Sequence, residues 1–177
     1  MTLDGYCDHT AMSADDEIHQ HYTDLLNDAD AIIYGRITYQ LMEYWRSVVE
    51  NPTGNPAMDD FAAAIDGIQK IVYSRTLENV DWKNTELKRE IVKDEILGLK
   101  QRAGKDLFVG SPSLIVALTQ LGLVDEYQLG LQPTVVGSGL VLFKNIEERV
   151  DLKLLKTKTF GCGAVFLYYE PTKTLSA

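Results

Sequence analysis

The sequence predicts an α/β protein with a mostly parallel central sheet, helices on both faces and an antiparallel hairpin near its C-terminal end. Three observations carry this. Apolar strand-like runs alternate with helical patterns through residue 132. Three of the runs end in a short turn of small or cationic residues: Gly35-Arg36-Ile37-Thr38, Ser74-Arg75-Thr76 and Gly110-Ser111. Beyond residue 132, strand-like segments at about 151–159 and 164–169 flank Phe160-Gly161-Cys162-Gly163, a hairpin turn by composition. Strands separated by helices run parallel through crossovers, whereas a tight turn reverses the chain.

Residues 6–15 are polar and turn-like, and residues 16–28 place Ile18, Tyr22, Leu25 and Leu26 at helical spacing. That stripe predicts a helix packed on the sheet. Residues 29–34 form an apolar strand that enters the first turn, after which Tyr39 to about Val49 continue as helix. Asn51 to Pro56 is a loop rich in breakers, and a second short helix spans 57–65. A strand at 69–73 enters the second turn. A connection through Val80-Asp81-Trp82 then leads to a helix from Glu90 to Gln101, with Ile91, Ile96 and Leu99 inward, closed by Gly104-Lys105. The strand at 106–109 enters the third turn and a helix that begins at Pro112 or Ser113. A strand at 126–132, the loop 133–139 and a short apolar piece at 140–143 precede the hairpin.

The chain has 177 residues, 45% of them hydrophobic, enough for one well-buried core and a single domain over residues 1–177. Its formal charge is -9, from 26 acidic against 17 basic residues, so a nucleic acid or an anionic membrane would meet net repulsion. No segment approaches the roughly 20 apolar residues of a membrane span, and the first residues lack the basic start and apolar run of a signal peptide. A cytoplasmic protein is expected. Cys7 and Cys162 are too few for a disulfide scaffold and read as free thiols.

The three turns are the candidate functional feature. A helix start presents amides without intrahelical acceptors and the positive end of the helix dipole, which together suit a phosphate. Gly35 and Gly110 allow the backbone to approach a ligand, and Arg36 and Arg75 add positive points in an acidic chain. Each turn alone is better explained by capping and turning, and it is the triple occurrence with two arginines that favours a ligand. Three on adjacent parallel strands would share the carboxyl edge, where open α/β sheets bind ligands, and would suit a molecule with several phosphates.

In order along the chain, Thr2-Leu3-Asp4-Gly5-Tyr6, Gly35 to Tyr39, Lys70 to Leu77, residues 105–125 followed by Glu126, and Pro133 to Phe143 resemble the signature blocks of the dihydrofolate-reductase-like superfamily. More narrowly, the chain resembles stand-alone relatives of the reductase domain of bifunctional riboflavin-biosynthesis deaminase-reductases, the RibD C-terminal domain. The resemblance covers nearly the whole chain. It implies a three-layer α/β/α dihydrofolate-reductase-like fold, NADPH as cofactor, hydride transfer to a small heterocyclic substrate of pyrimidine or pterin type, and a homodimer. By it, Gly35, Arg36 and Thr38 hold cofactor phosphates, Ser74 and Arg75 receive the adenosine 2'-phosphate, and Gly110 and Ser111 lie against the pyrophosphate. Leu3, Asp4 and Gly5 border the nicotinamide and substrate. Asp4-Gly5 is equally well read as a plain turn.

Two departures from the family pattern stand out. Relatives carry about eight to ten residues of apolar strand ahead of the block that begins here at Thr2, so an N-terminal strand is expected to be truncated or supplied by another segment. Dihydrofolate reductase also places a carboxylate on its first helix to protonate the pterin. Here that helix offers His19, His21, Tyr22 and Asp24, none in clear correspondence, so no catalytic residue is assigned and folate is not the expected substrate. Tyr39, Tyr44 and Trp45 follow the first turn; aromatic groups of this kind are usually core, and Trp45 is the candidate pocket wall. His19 and His21, two apart, point to different sides of a helix, so no metal site is expected. The zinc deaminase signature is absent. The reading is an NADPH-dependent reductase; the alternative is a nucleotide-binding or interaction protein of the same fold without the chemistry.

Overall fold

A computed structural model describes residues 1–12, 14–102 and 104–172. They form two compact units: one of residues 16–114, the other of residues 1–15 with the chain from Ile115 onward.

The first unit contains α1 (Asp16–Asn27), β1 (Ala29–Gly35), α2 (Arg36–Met42), α3 (Tyr44–Glu50), α4 (Pro56–Gly67), β2 (Gln69–Tyr73), β3 (Thr85–Lys88), α5 (Lys93–Lys100) and β4 (Asp106–Val109), and it ends in the first turn of α6 (Pro112–Gln120). Its sheet runs β3-β2-β1-β4 with every pairing parallel. Ala31 to Gly35 are buried without interruption, as expected of a central strand covered on both faces. One face, Ile32, Tyr34 and Val72, packs with Leu26 of α1, Tyr39 of α2, Phe61 and Ile65 of α4, and Trp82. The alternate residues Ile33 and Ile71 are buried on the other face, and α5 packs on β4. The breaker loop before α4 is a cap: Asn55 accepts the Met58 amide (3.1 Å), Pro56 opens the helix, and Asp59 accepts the Thr53 and Gly54 amides (2.8 and 3.1 Å).

Three elements of this unit differ from the sequence expectation. The helix expected at 39–49 begins directly after β1 and breaks at Glu43 into α2 and α3, where Arg46 donates to the Glu43 carbonyl (3.1 Å) in a tightened turn. Tyr39 and Val48 explain the break. Both are buried, yet their separation in sequence would put them about 180° apart on one straight helix. The stretch expected to be a plain connection forms the edge strand β3, whose Thr85-Glu86-Leu87-Lys88 has the charge of a protected edge and no apolar alternation. The helix expected from Glu90 begins at Lys93.

Lys70 is a buried cation in the middle of β2. Its ammonium donates to the carbonyls of Asp66 (3.1 Å), Ile68 (2.9 Å) and Lys83 (3.4 Å), closing the C-terminal end of α4, and lies 4.4 Å from the centre of the Trp82 ring. Trp82 donates to Asp66 (2.7 Å), which also pairs with Lys83. Burial lowers the Lys70 pKa to about 8, against a smaller upward pull from Asp66.

The second unit contains the rest of α6, β5 (Tyr127–Leu131), β6 (Leu152–Thr159) and β7 (Val165–Pro171), in an antiparallel sheet of order β5-β7-β6. The hairpin expected between β6 and β7 forms as read: Gly163, at φ +87°, donates to Phe160 (2.9 Å), and Phe160 donates to Ala164 (3.0 Å). The strand at 127–131, expected to extend the parallel order, joins this antiparallel sheet because β7 returns beside it. Its chain continues to Gln132, which pairs in parallel with Thr2 and donates to the Met1 carbonyl (2.8 Å). The apolar piece at 140–143 forms no strand; Val141 makes a single antiparallel bridge to Tyr6.

The buried Lys70 gives a pH dependence with a defined sign. Between about pH 8 and the ordinary lysine value near 10.5, the unfolded chain holds a proton that the folded one has released, so folding gains as pH rises. Chemical denaturation from pH 8 to 9.5 should show wild type gaining stability relative to Lys70→Met by up to about 1.4 kcal/mol per pH unit. Parallel curves would contradict this assignment.

Candidate functional site

Because β2, β1 and β4 are adjacent and parallel, their carboxyl ends, Tyr73, Gly35 and Val109, lie along one edge. All three turns identified in the sequence therefore occupy the same rim. The first and third are joined directly: the buried Gly35 amide donates to Ser111 Oγ at 2.8 Å, and the Gly110 amide donates to the Ile33 carbonyl at 3.2 Å. A side chain at position 35 would meet Ser113 Oγ (3.4 Å) and Ser111 Oγ (3.7 Å) at ordinary contact distance, so the hydroxyl of Ser111, not the glycine, makes this junction. Gly110 has a packing reason of its own. A Cβ there would stand 2.9 Å from Tyr34 Cε1, closer than real contacts allow.

At the start of α6, Pro112 has no N–H and the Leu114 amide is taken by the Ser111 carbonyl (3.0 Å), which leaves the amides of Ser111 and Ser113 as backbone donors. Ser111 is buried. At the first turn Arg36 is exposed and reaches Gln40 (3.1 Å), and Thr38 is half-buried.

The second turn is built around a hydroxyl. Ser74 is buried, and its Oγ accepts the amides of Thr76 (3.2 Å) and Leu77 (2.9 Å), leaving its own proton as a donor. Arg75 is exposed beside it. Tyr73, in register with Gly35, carries a buried hydroxyl without a hydrogen-bond partner. None of the residues 35–38, 74–76 and 110–113 is acidic, in a chain with 26 acidic residues. The rim is a set of neutral and cationic donors, chemistry suited to phosphate oxygens.

Leu3, Asp4 and Gly5 belong to the second unit. Asp4 accepts the Thr2 hydroxyl (2.6 Å), the Gly137 amide (2.7 Å) and the Val136 amide (3.2 Å), and Leu3 donates to the Thr134 carbonyl (2.9 Å). These contacts fasten residues 2–4 to the loop 134–137. Gly5, at φ +88°, makes the turn that lets Tyr6 donate back to Thr2 Oγ (3.0 Å). The Thr2 hydroxyl, helped by the two loop amides, holds the Asp4 carboxyl below the usual carboxylate range despite some loss of solvent. Asp4 is thus a charged acceptor with no proton to give at neutral pH.

Trp45 stands in an aromatic cluster, edge-on to Phe61 (4.7 Å between ring centres), Tyr44 (5.3 Å) and His19 (5.8 Å). His21 faces Tyr22 instead, so the two histidines diverge as their spacing requires. No group of three or more His, Cys, Asp or Glu suited to a metal occurs among the described residues. No helix among them is long and apolar enough to cross a membrane.

A four-stranded parallel sheet with flanking helices, a three-stranded antiparallel sheet and a cationic carboxyl rim define an α/β protein of the dihydrofolate-reductase-like class. Residues 1–166 match the RibD C-terminal domain, and the chain belongs to that family. It is 33% identical over 150 residues to the Bacillus subtilis (strain 168) protein YyaP, covering 84% of this chain and 78% of that one. Among solved structures it is similar to a putative riboflavin biosynthesis protein from Shewanella sp. PV-4 (TM-score 0.70, 18% identity, 97% and 95% of the two chains). A second similar fold is a diaminohydroxyphosphoribosylaminopyrimidine deaminase/5-amino-6-(5-phosphoribosylamino)uracil reductase from Thermotoga maritima (TM-score 0.58, 16%, 97% and 54%). A third is the dihydrofolate reductase from Enterococcus faecalis complexed with NADP(H) and RAB-propyl (TM-score 0.61, 12%, 97% and 92%). At these identities the likeness is one of fold.

Sequence reading missed two residues that shape these turns. Thr2 was visible only as part of a signature block, and its hydroxyl donates to Asp4, which also accepts amides of the loop 134–137. Arg89, at the end of the unforeseen strand β3, reaches the second turn.

The Gly35 to Ser111 bond is testable. Ser111→Ala leaves a buried amide without its acceptor and should lower unfolding free energy by about 1–3 kcal/mol, measured by denaturant titration. An unchanged midpoint would show that the bond does not hold the rim.

Proposed function

We propose that the chain is an NADPH-dependent reductase that passes a hydride to a small pyrimidine- or pterin-like heterocycle. The observation that carries this is the rim itself: three adjacent carboxyl-edge turns, two of them bonded together, furnished with Arg36, Arg75 and serine or threonine hydroxyls and free of carboxylates. The Thermotoga maritima protein named above is a 5-amino-6-(5-phosphoribosylamino)uracil reductase by name, and the Enterococcus faecalis reductase is complexed with NADP(H), in keeping with this reading.

The residues fit such a cofactor. Gly35, Arg36 and Thr38 at the start of α2, with Gly110 and Ser111, hold its diphosphate; Ser74 donates its remaining proton and Arg75 a guanidinium fork to the 2'-phosphate. When bound, the nicotinamide supplies the hydride, which needs alignment rather than a protein nucleophile. Trp45 is a candidate pocket wall, and by the family resemblance alone Leu3, Asp4 and Gly5 serve the nicotinamide and substrate side. Asp4 does so as an ionised acceptor that fixes the loop 134–137.

Fluorescence titration tests the cofactor assignment. Wild type should bind NADPH more tightly than NADH, and Arg75→Ala should weaken NADPH by about 10- to 100-fold, the loss of charge-assisted hydrogen bonds, with NADH little changed. Equal affinity for the two cofactors in wild type would contradict the reading. NADPH binding without its oxidation over a panel of pyrimidines and pterins would favour a nucleotide-binding role instead.

A further inference from the structure

The turn that carries Ser74 and Arg75 leaves the sheet after β2 and belongs to no helix or strand, so its backbone polar groups need partners from elsewhere. On the amide side they find two. Ser74 donates its N–H to the Lys88 carbonyl (2.9 Å), and Ser74 Oγ takes the amides of Thr76 and Leu77. On the carbonyl side a single residue does the work. The Arg89 guanidinium donates to the carbonyls of Ser74 (3.2 Å), Leu77 and Glu78 (3.2 Å).

Arg89 is placed to act as a rigid clamp. It follows Lys88, the last residue of β3, and Lys88 pairs in register with Tyr73, the residue from which the turn departs. The clamp therefore starts from the sheet next to the segment it grips. The adjoining hollow, about 260 Å³, is lined by Glu86, Glu90 and Glu95 as well as Lys88, Arg89 and Val92. Lys88 takes Glu95 (3.0 Å) and Glu86 (3.6 Å), while Arg89 is committed to the backbone. A planar guanidinium holds its donors at fixed angles, so one rigid group sets the spacing of the carbonyls it grips.

We propose that Arg89 is a positioning residue for cofactor choice: by gripping the Ser74, Leu77 and Glu78 carbonyls it holds the turn in the shape that presents Ser74 and Arg75 to a ribose 2'-phosphate. This rests on the reductase reading above and adds the residue that sets its preference for the phosphorylated cofactor. Arg89 itself does not touch the phosphate. Its effect passes through Ser74 and Arg75, which separates the clamp from one more cation in the site.

Calorimetric titration of NADPH, NADH and 2',5'-ADP against wild type, Arg89→Ala, Arg89→Lys, Arg75→Ala and the Arg75→Ala/Arg89→Ala double variant tests this, with thermal melts alongside. Both Arg89 variants should weaken NADPH and 2',5'-ADP by about tenfold, one hydrogen bond's worth of misplacement, while NADH stays within about twofold. The double variant should lose less than the sum of the two single losses, because with Arg75 gone only Ser74 is left to be misplaced. Backbone amides of residues 74–78 should exchange faster in Arg89→Lys. Rescue by Arg89→Lys, or losses that add in the double variant, would overturn the clamp in favour of a direct charge contact. Equal weakening of NADPH and NADH with a lowered melting temperature would overturn it in favour of a general structural role. Failure of wild type to bind NADPH or 2',5'-ADP would instead remove the reductase reading on which the clamp rests, and the clamp with it.

Discussion

The arrangement depends on the parallel pairing of β2, β1 and β4, which forces three chain segments to leave the sheet side by side. Parallel strands share a direction, so every turn that follows one emerges on the same edge. The Gly35 amide donating to Ser111 Oγ converts adjacency into a fixed spacing. Buried hydrogen bonds of this kind are modest in net strength but costly to leave unmade, so the first and third turns cannot separate without stranding an amide. The rim is in this sense preorganised, with its conformational cost met at folding rather than at binding.

Around that rim the same device recurs: one polar side chain satisfies several backbone groups of an irregular segment. Ser74 Oγ takes two amides, Arg89 takes three carbonyls, Asp59 takes the loop before α4, and Asp4 fastens the loop 134–137. Loops leave backbone donors and acceptors unpaired, and a short polar side chain is the least expensive way to pair them. For the candidate site the consequence is chemical as well as structural. A serine that already accepts two amides can act toward a ligand as a donor alone, and a carboxylate with three donors around it stays ionised. Phosphate recognition calls for the first, and the second keeps the loop 134–137 fastened.

Much of this was legible in the sequence because local and global signals agreed. The stripe of Ile18, Tyr22, Leu25 and Leu26, the apolar runs at 29–34 and 69–73 and the glycines of the hairpin each point to one answer. The turns were visible through Gly, Ser and Arg after apolar strands, and the parallel order of β2, β1 and β4 put them on one edge as read. What was illegible has a physical reason in each case. Strand β3 is a charged edge strand held by backbone pairing, so its side chains carry no periodic signal. The break at Glu43 follows from burying both Tyr39 and Val48, a tertiary demand that no window of a few residues expresses. Gly110 was read for its approach to a ligand, while Tyr34 supplies a packing reason that depends on the β1 and β4 register. Thr2 acts locally, on Asp4 and Tyr6, and Arg89 reaches 11 to 15 positions back, through side chains whose own neighbourhoods look ordinary.

Amide hydrogen exchange on the whole protein with and without NADPH tests the central claim most directly, since it reads all three turns in one experiment. The account predicts that saturating NADPH slows exchange together at residues 35–38, 74–77 and 110–114, and that NADH slows the first and third sets more than the second. Protection confined to one turn, or absent from all three, would contradict a shared phosphate-binding rim.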